Sequence, residues 1–484
     1  MKKFALTFLI TGFLCSTALA QGRGGIGGGP PGGGFGPAPF GFGPRVSVGP
    51  AAGPPGGFSA GPPGNVGGIG GGEIGGGGLS SLPAAADNRV GASTKSPPGL
   101  SLHDTVETAR DSVGRPNAPA VIAQNLALDE RGQTIVRGEV LVVSPTQSSL
   151  AIARRLNLTV ERRDSLGWLG LTTATLRAPV GMSAVEALAA LRRADPRGVY
   201  DYAHIYNPSG DVAPSAPTPR PNLAPTGSGT GIRVGMIDGG VDRAHPAFRN
   251  ADLIARGFAG NAETPPTAHG TAVASLLVGR ASAFSGYIPG AVLYAADVFG
   301  GAADGGSADD VARALNWLAA NHIAVTNISL AGPPNLLLAA AVKAFVASGH
   351  VLVAAAGNGG PAAPPSYPAT YPGVIAVTSV DSAGHLEVDA SRGDAQFAAL
   401  GVGVRAATLP QGYAGVTGTS YAAPLITSRF ARLLPAPNPT NAKKALDELT
   451  ERAPPLDAKP HAPRYLNAFF DVTPRRYTAE RRIR

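Results

Sequence analysis

Downstream of Gly231, five runs stay apolar across both faces of a strand: IRVGMID, AVLYAADVF, AVTNISLA, HVLVAAAGN and VIAVTSVD. A strand with one face in water would alternate apolar and polar residues, so these runs point to a parallel sheet covered by helices on both sides. Helical segments lie between them, including one that Ser307 caps and in which Val311, Leu315 and Leu318 share a face. This part of the chain is expected to be an α/β domain, with ligands bound beyond the carboxyl ends of its strands.

The region before it is organised differently. Residues 1–20 read as a secretory signal, with Lys2 and Lys3, an apolar stretch from Phe4 to Leu14, and Ala18-Leu19-Ala20 as the cleavage site. Export to the periplasm, the cell surface or the medium is the expectation. Residues 21–133 are expected to be a Gly/Pro-rich disordered spacer and linker, with one short helix near His103–Ser112. The 67 glycines and 45 prolines of the chain concentrate toward this end. The single cysteine, Cys15, falls inside the signal, so the exported chain has no disulfide, no cysteine-ligated zinc and no cysteine nucleophile. No later segment is apolar for long enough to span a bilayer, so no stable membrane insertion is expected.

Residues 134–207 spell strand, helix, two strands, helix and strand, a small ferredoxin-like α+β domain. Ser144 is the expected cap of its first helix, with Pro145 in the first turn, and Ser183 with Glu186 forms a capping box for the second. Residues 208–228 read as a linker without regular structure, 229–472 as the α/β domain, and 473–484 as a basic tail. The net charge of +8 comes without the aromatic interleaving or motifs that a nucleic-acid partner would require.

Three side chains that could carry chemistry stand at strand ends or helix starts. Asp238 closes IRVGMID, His269 opens HGTAVASLLVG, and Ser420 opens SYAAPLITSRFARLL. The order Asp, His, Ser differs from both the α/β-hydrolase and the chymotrypsin orders. Four blocks in sequence, VGMIDGGVDRAHP, HGTAVASLL, AAAGNGG and GTSYAAP, resemble the signatures of subtilases, the subtilisin-like serine proteases. NISLAG and YLNAFF are also similar. The resemblance runs from about 228 to 470 and implies a subtilisin-like fold and peptide-bond hydrolysis through an acyl-enzyme.

It further implies that Asp238, His269 and Ser420 are the triad, and that Asn358 is an oxyanion-hole donor. Ser329, Leu330, Ala331, Gly332, Ala356 and Gly357 would line the substrate cleft. The small domain resembles the inhibitory propeptide that precedes subtilase catalytic domains, which makes the chain a self-processing precursor with polypeptide substrates and its own propeptide as partners. Such a domain lays its C-terminal segment through the cleft, so self-cleavage is expected between Tyr206 and Thr230. The cleft walls carry no acidic side chain, so medium or large apolar residues are expected at the cleaved position. Gly239 departs from the family, which usually has Thr or Ser there, as do Ser275 and Ala331 at glycine positions. His245 reads as structural. The family's calcium loop is missing, since GRASAFSGYIPGA is short and holds no carboxylate; no cofactor and no metal ligand are expected. The alternative is a catalytically weak, subtilase-like binding module at the cell surface.

Overall fold

The computed structural model describes residues 125–209, 211–215, 228–260, 262–282, 284–302, 305–458 and 461–466. The signal, most of the spacer with its short helix, most of the linker, the residues after Leu466 in YLNAFF and the basic tail lie outside the described residues.

The apolar runs form one sheet. Its strand order is Arg464–Leu466, Phe397–Leu400, Ile375–Val380, Val351–Ala355, Val325–Ile328, Arg233–Asp238, Val292–Asp297, Asp252–Gly257. Every neighbouring pair is parallel. Helices Ala268–Val278 and Thr419–Leu433 share a core with one face, and Ala308–Ala320 and Leu336–Ala347 with the other. Burial from both sides explains why every residue of Val325–Ile328, Val351–Ala355 and Ile375–Val380 is buried. The chain adds strands first on one side of Arg233–Asp238 and later on the other. The Asp238 strand end is therefore a topological switch point, where a crevice opens.

A second sheet comes from the preceding residues. Its order is Val199–Pro208, Thr134–Val143, Leu171–Arg177, Thr159–Leu166, all antiparallel. Helices Gln147–Arg155 and Ala184–Ala194 cover one of its faces. Ser183 and Glu186 form the expected capping box. The first helix is capped by Thr146 rather than Ser144: the Thr146 hydroxyl accepts the Ser149 N–H, and the Ser149 hydroxyl accepts the Thr146 N–H. Ser144 is held out of that role because its N–H donates to Thr172 in the sheet and its φ is +50°.

Two boundaries also differ from the expectation. Leu126–Leu128 pairs antiparallel with the start of Thr134–Val143, so the small unit begins inside the expected spacer. The Asp129 carboxylate makes this possible by accepting the N–H groups of Arg131 and Gln133 in the intervening turn. Within the expected linker, Asp211–Ser215 is a strand paired antiparallel with Gly412–Thr417. It occupies the edge of a three-stranded sheet, where a proline such as Pro214 is tolerated.

Candidate active site

Asp238, His269 and Ser420 converge at the carboxyl ends of the parallel strands, and all three are buried. Thr267 caps the helix Ala268–Val278 by accepting the Gly270 N–H, which sets His269 in its first turn. From there His269 Nδ1 lies 2.9 Å from Asp238 Oδ1, the geometry of an imidazole N–H donating to a carboxylate. The same Asp238 oxygen accepts the Gly239 N–H at 2.8 Å. His269 Nε2 is buried and has no hydrogen-bond partner, and the Tyr421 ring packs 5.5 Å away. Ser420 sits in the first turn of Thr419–Leu433, preceded by Gly418 at φ +143°, a backbone angle suited to glycine.

Asn358 reaches the same place from the loop after Val351–Ala355. Its Oδ1 accepts the Thr419 N–H and hydroxyl, each at 3.0 Å. Thr419 also accepts the Gly357 N–H, so one hydroxyl ties the asparagine loop to the serine helix.

The cleft is occupied by the protein's own chain. Pro208 and Asn207 pair antiparallel with Leu330 and Ala331, and Tyr206 and Ile205 pair with Gly306 and Ser307 on the opposite side. The Ser209 N–H then donates to the Ser329 carbonyl at 3.0 Å. Its carbonyl accepts the Ser420 N–H at 3.1 Å and the Ser420 hydroxyl, which also contacts the Ser329 carbonyl at 3.2 Å. Tyr206 is fully buried: its ring lies where a Cβ on Gly332 would stand 2.6 Å from it, and its hydroxyl donates to the Pro333 carbonyl at 2.6 Å. Burial pushes its phenol well above the ordinary tyrosine range. A crevice of about 1100 Å³ is lined by Asp129, Glu130, Asp201 and His204 of the small unit on one side and by Ala331, Gly332, Gly357–Gly359 and Pro364–Ser366 on the other.

Residues 229–457 match the family model described as the subtilase family. Subtilisin of Bacillus pumilus is 35% identical over 231 residues, which is 45% of this chain and 82% of that protein. The chain belongs to the subtilase family. Subtilisin E of Bacillus subtilis (strain 168) is equally similar, at 35% over 231 residues, but the match spans only 59% of that relative. The solved structure of fervidolysin from Fervidobacterium pennivorans, titled a keratinolytic enzyme related to subtilisin, has a TM-score of 0.52 at 22% identity. It covers 63% of this chain and 56% of its own, and shows likeness of fold. Family membership makes this chain a homologue of serine peptidases, enzymes of the hydrolase class.

Of the cleft residues read from the sequence of this subtilase, Leu330 and Ala331 pair with the bound segment, and Ser329 bonds to both Ser209 and Ser420. Gly332 gives space to Tyr206, Gly357 lies on the crevice beside Asn358, and Ala356 is buried just before them. Gly239 has a reason in packing: a Cβ there would come within 2.4 Å of the Thr267 hydroxyl, the cap that positions His269. Ser275 is accommodated because its hydroxyl donates to the Ala272 carbonyl and accepts the Ala407 N–H. His245 stays apart from Asp238, His269 and Ser420, where it caps Pro246–Phe248 and bonds the Gly412 carbonyl. Sequence reasoning missed the contact of Ser209 with Ser420, since one serine in a Pro/Ser-rich segment carries no signal of its own. It also missed Thr419, although that residue stands inside GTSYAAP.

Proposed function

We propose that this subtilase is a secreted serine endopeptidase, made as a precursor that cuts its own chain between Ser209 and Gly210. The observation that carries this reading is the Ser209 carbonyl, seated on the Ser420 N–H at a helix N-terminus and against the Ser420 hydroxyl. The flanking backbone is held extended between two strands of the peptidase unit, the presentation that peptide hydrolysis needs.

In the reaction Ser420 Oγ turns from the two carbonyls toward His269 Nε2, which takes its proton as the oxygen adds to the Ser209 carbonyl carbon. Asp238 holds the Nδ1–H tautomer and stabilises the imidazolium. The carbonyl oxygen becomes an oxyanion held by the Ser420 N–H and Asn358 Nδ2. As the C–N bond breaks, His269 returns the proton to the amine of Gly210. Water then attacks the ester of Ser209 on Ser420, with His269 again as base, and releases the Ser209 carboxylate.

The ferredoxin-like unit before Ser209 acts as inhibitor until it dissociates. Polypeptides supplied in trans follow the same track, with a tyrosine four residues before the cut in the place of Tyr206. The peptidase residues that line the crevice, among them Ala331, Gly332, Gly357–Gly359 and Pro364–Ser366, include no acidic side chain; its acids, Asp129, Glu130 and Asp201, belong to the small unit and leave with it. Medium and large apolar residues at the cleaved position fit that space.

Ser420→Ala is expected to leave the precursor uncut and to lower peptide turnover by roughly 10⁶, the size of loss known from subtilisin, a relative. N-terminal sequencing of the wild-type product should begin at Gly210. A new terminus that persists in Ser420→Ala would mean that another protease makes the cut. Asn358→Ala should retain folding and lose ~10²–10³ in kcat, again as known from subtilisin. Unchanged turnover would remove Asn358 from the oxyanion site.

A further inference from the structure

The peptidase reaction leaves one buried carboxylate beside the triad unused. The strands Arg233–Asp238 and Val292–Asp297 run parallel with Asp297 in register with Asp238, so two acids end neighbouring strands. Asp297 is 2% exposed and Asp238 is wholly buried. Asp297 Oδ1 accepts the N–H groups of Phe299 and Gly300, at 2.8 and 3.0 Å. Its Oδ2 is buried with no hydrogen-bond partner, and so is Oδ2 of Asp238.

Capping the turn at Phe299 and Gly300 accounts for one oxygen of Asp297. An asparagine would serve that turn equally well, and it would not bring a charge into a water-poor site. The charged and titratable groups around Asp297 compound the difficulty. Asp238 faces it from the adjacent strand, with His269 beyond. Asp310, from the start of Ala308–Ala320, adds a further acid, which is paired with Arg313. On the remaining neighbouring strand its register partner is Gly257, without charge. Burial is the main cause that raises the Asp297 carboxyl to about 6, against the pull of the two backbone N–H groups, and Asp238 and Asp310 push the same way.

We propose that Asp297 is a positioning residue for the triad: its carboxylate, beside that of Asp238, adds negative charge next to His269 and so raises the pH at which the imidazole releases its proton and becomes a base. The sign follows from charge alone. A second negative charge stabilises the imidazolium over the neutral ring, so ionised Asp297 moves the acid limb of activity upward. Below its own titration Asp297 is neutral and the effect fades, so the limb becomes shallower where the two ionisations overlap. Asp297 touches no reacting atom; it acts through His269 and Asp238. This inference rests on the serine-peptidase reading of the site.

The test is the pH profile of kcat/KM for the mature enzyme and for Asp297→Asn, with a peptide carrying Tyr four residues before the cut. Asparagine keeps the acceptor for Phe299 and Gly300. Its acid limb is expected about 0.5–1 pH unit lower than in wild type, with the alkaline plateau within about threefold. A limb that stays within about 0.2 unit, or moves upward, overturns the proposal and leaves Asp297 as a turn cap.

A second measurement needs no turnover: titration of His269 by NMR in the Ser420→Ala precursor, with and without Asp297→Asn. A lower His269 midpoint in the asparagine variant supports the proposal, and equal midpoints overturn it. Should wild type fail to hydrolyse any peptide, the peptidase reading falls while this titration still decides on Asp297. If Asp297→Asn fails to fold, Asp297→Ser in the same titration decides it by the same criterion.

Discussion

In the strand Thr134–Val143 of the small unit, Val140 and Val142 enter a core made with that unit's own helices. Leu141 and Val143, one residue out of phase, enter a different core, together with Val311, Leu315 and Phe345 of the peptidase helices. The peptidase strand Ile375–Val380 alternates too, with Ile375 and Val377 in one core and Ala376 in the other. There, however, both cores are covered by peptidase helices. One unit completes its burial by itself; the other borrows half of it. A small unit that leaves a sheet face apolar when alone will stay docked while tethered. Under the proposed cut after Ser209, the linkage that keeps it nearby would be gone and its hold would weaken.

Substitutions at adjacent positions of that one strand can break this contrast. In the Ser420→Ala precursor, Leu141→Ala should weaken docking by about 2–5 kcal/mol, because a buried leucine side chain is lost from the shared core. Hydrogen exchange should then rise in Val199–Pro208, while Ile375–Val380 keeps its protection. Val140→Ala should instead lower the stability of the small unit's own core, by about 1–3 kcal/mol, with a smaller effect on docking. If the two variants behave alike, the sheet does not divide its faces between the two units.

A smaller effect sharpens the comparison at the point where the small unit enters the cleft. Tyr206→Phe removes a hydroxyl whose partner, the Pro333 carbonyl, is then left without that bond. Self-cleavage should slow by roughly threefold to tenfold, given a net value near 1 kcal/mol for such a bond. Equal rates of processing for the two precursors, followed by gel, would show that the ring alone selects this position.

How much of this was legible beforehand varies element by element. Asp238, His269, Asn358 and Ser420 stand in local spellings, each a strand end, a glycine-rich turn or a helix start, and short stretches of chain carry that information. The helix cap at Thr146 was harder. Ser144, Thr146 and Ser149 are all competent hydroxyls, and the choice went to Thr146 because Ser144 is committed to the sheet. The strand Asp211–Ser215 could not be seen at all, since its backbone bonds are made to residues about 200 positions away at Gly415 and Thr417.

The amino-acid sequence by itself determined the parallel sheet and the helices that enclose it, and it singled out Asp238, His269, Asn358 and Ser420 as candidates for chemistry. Apolar periodicity and capping act within a few residues of one another. Only the tertiary structure decided which bond of the chain meets Ser420, which face of the small sheet is shared, and that Asp297 stands beside Asp238. Those three facts depend on strand register and on packing between distant segments, and no local pattern encodes a register between strands more than fifty residues apart.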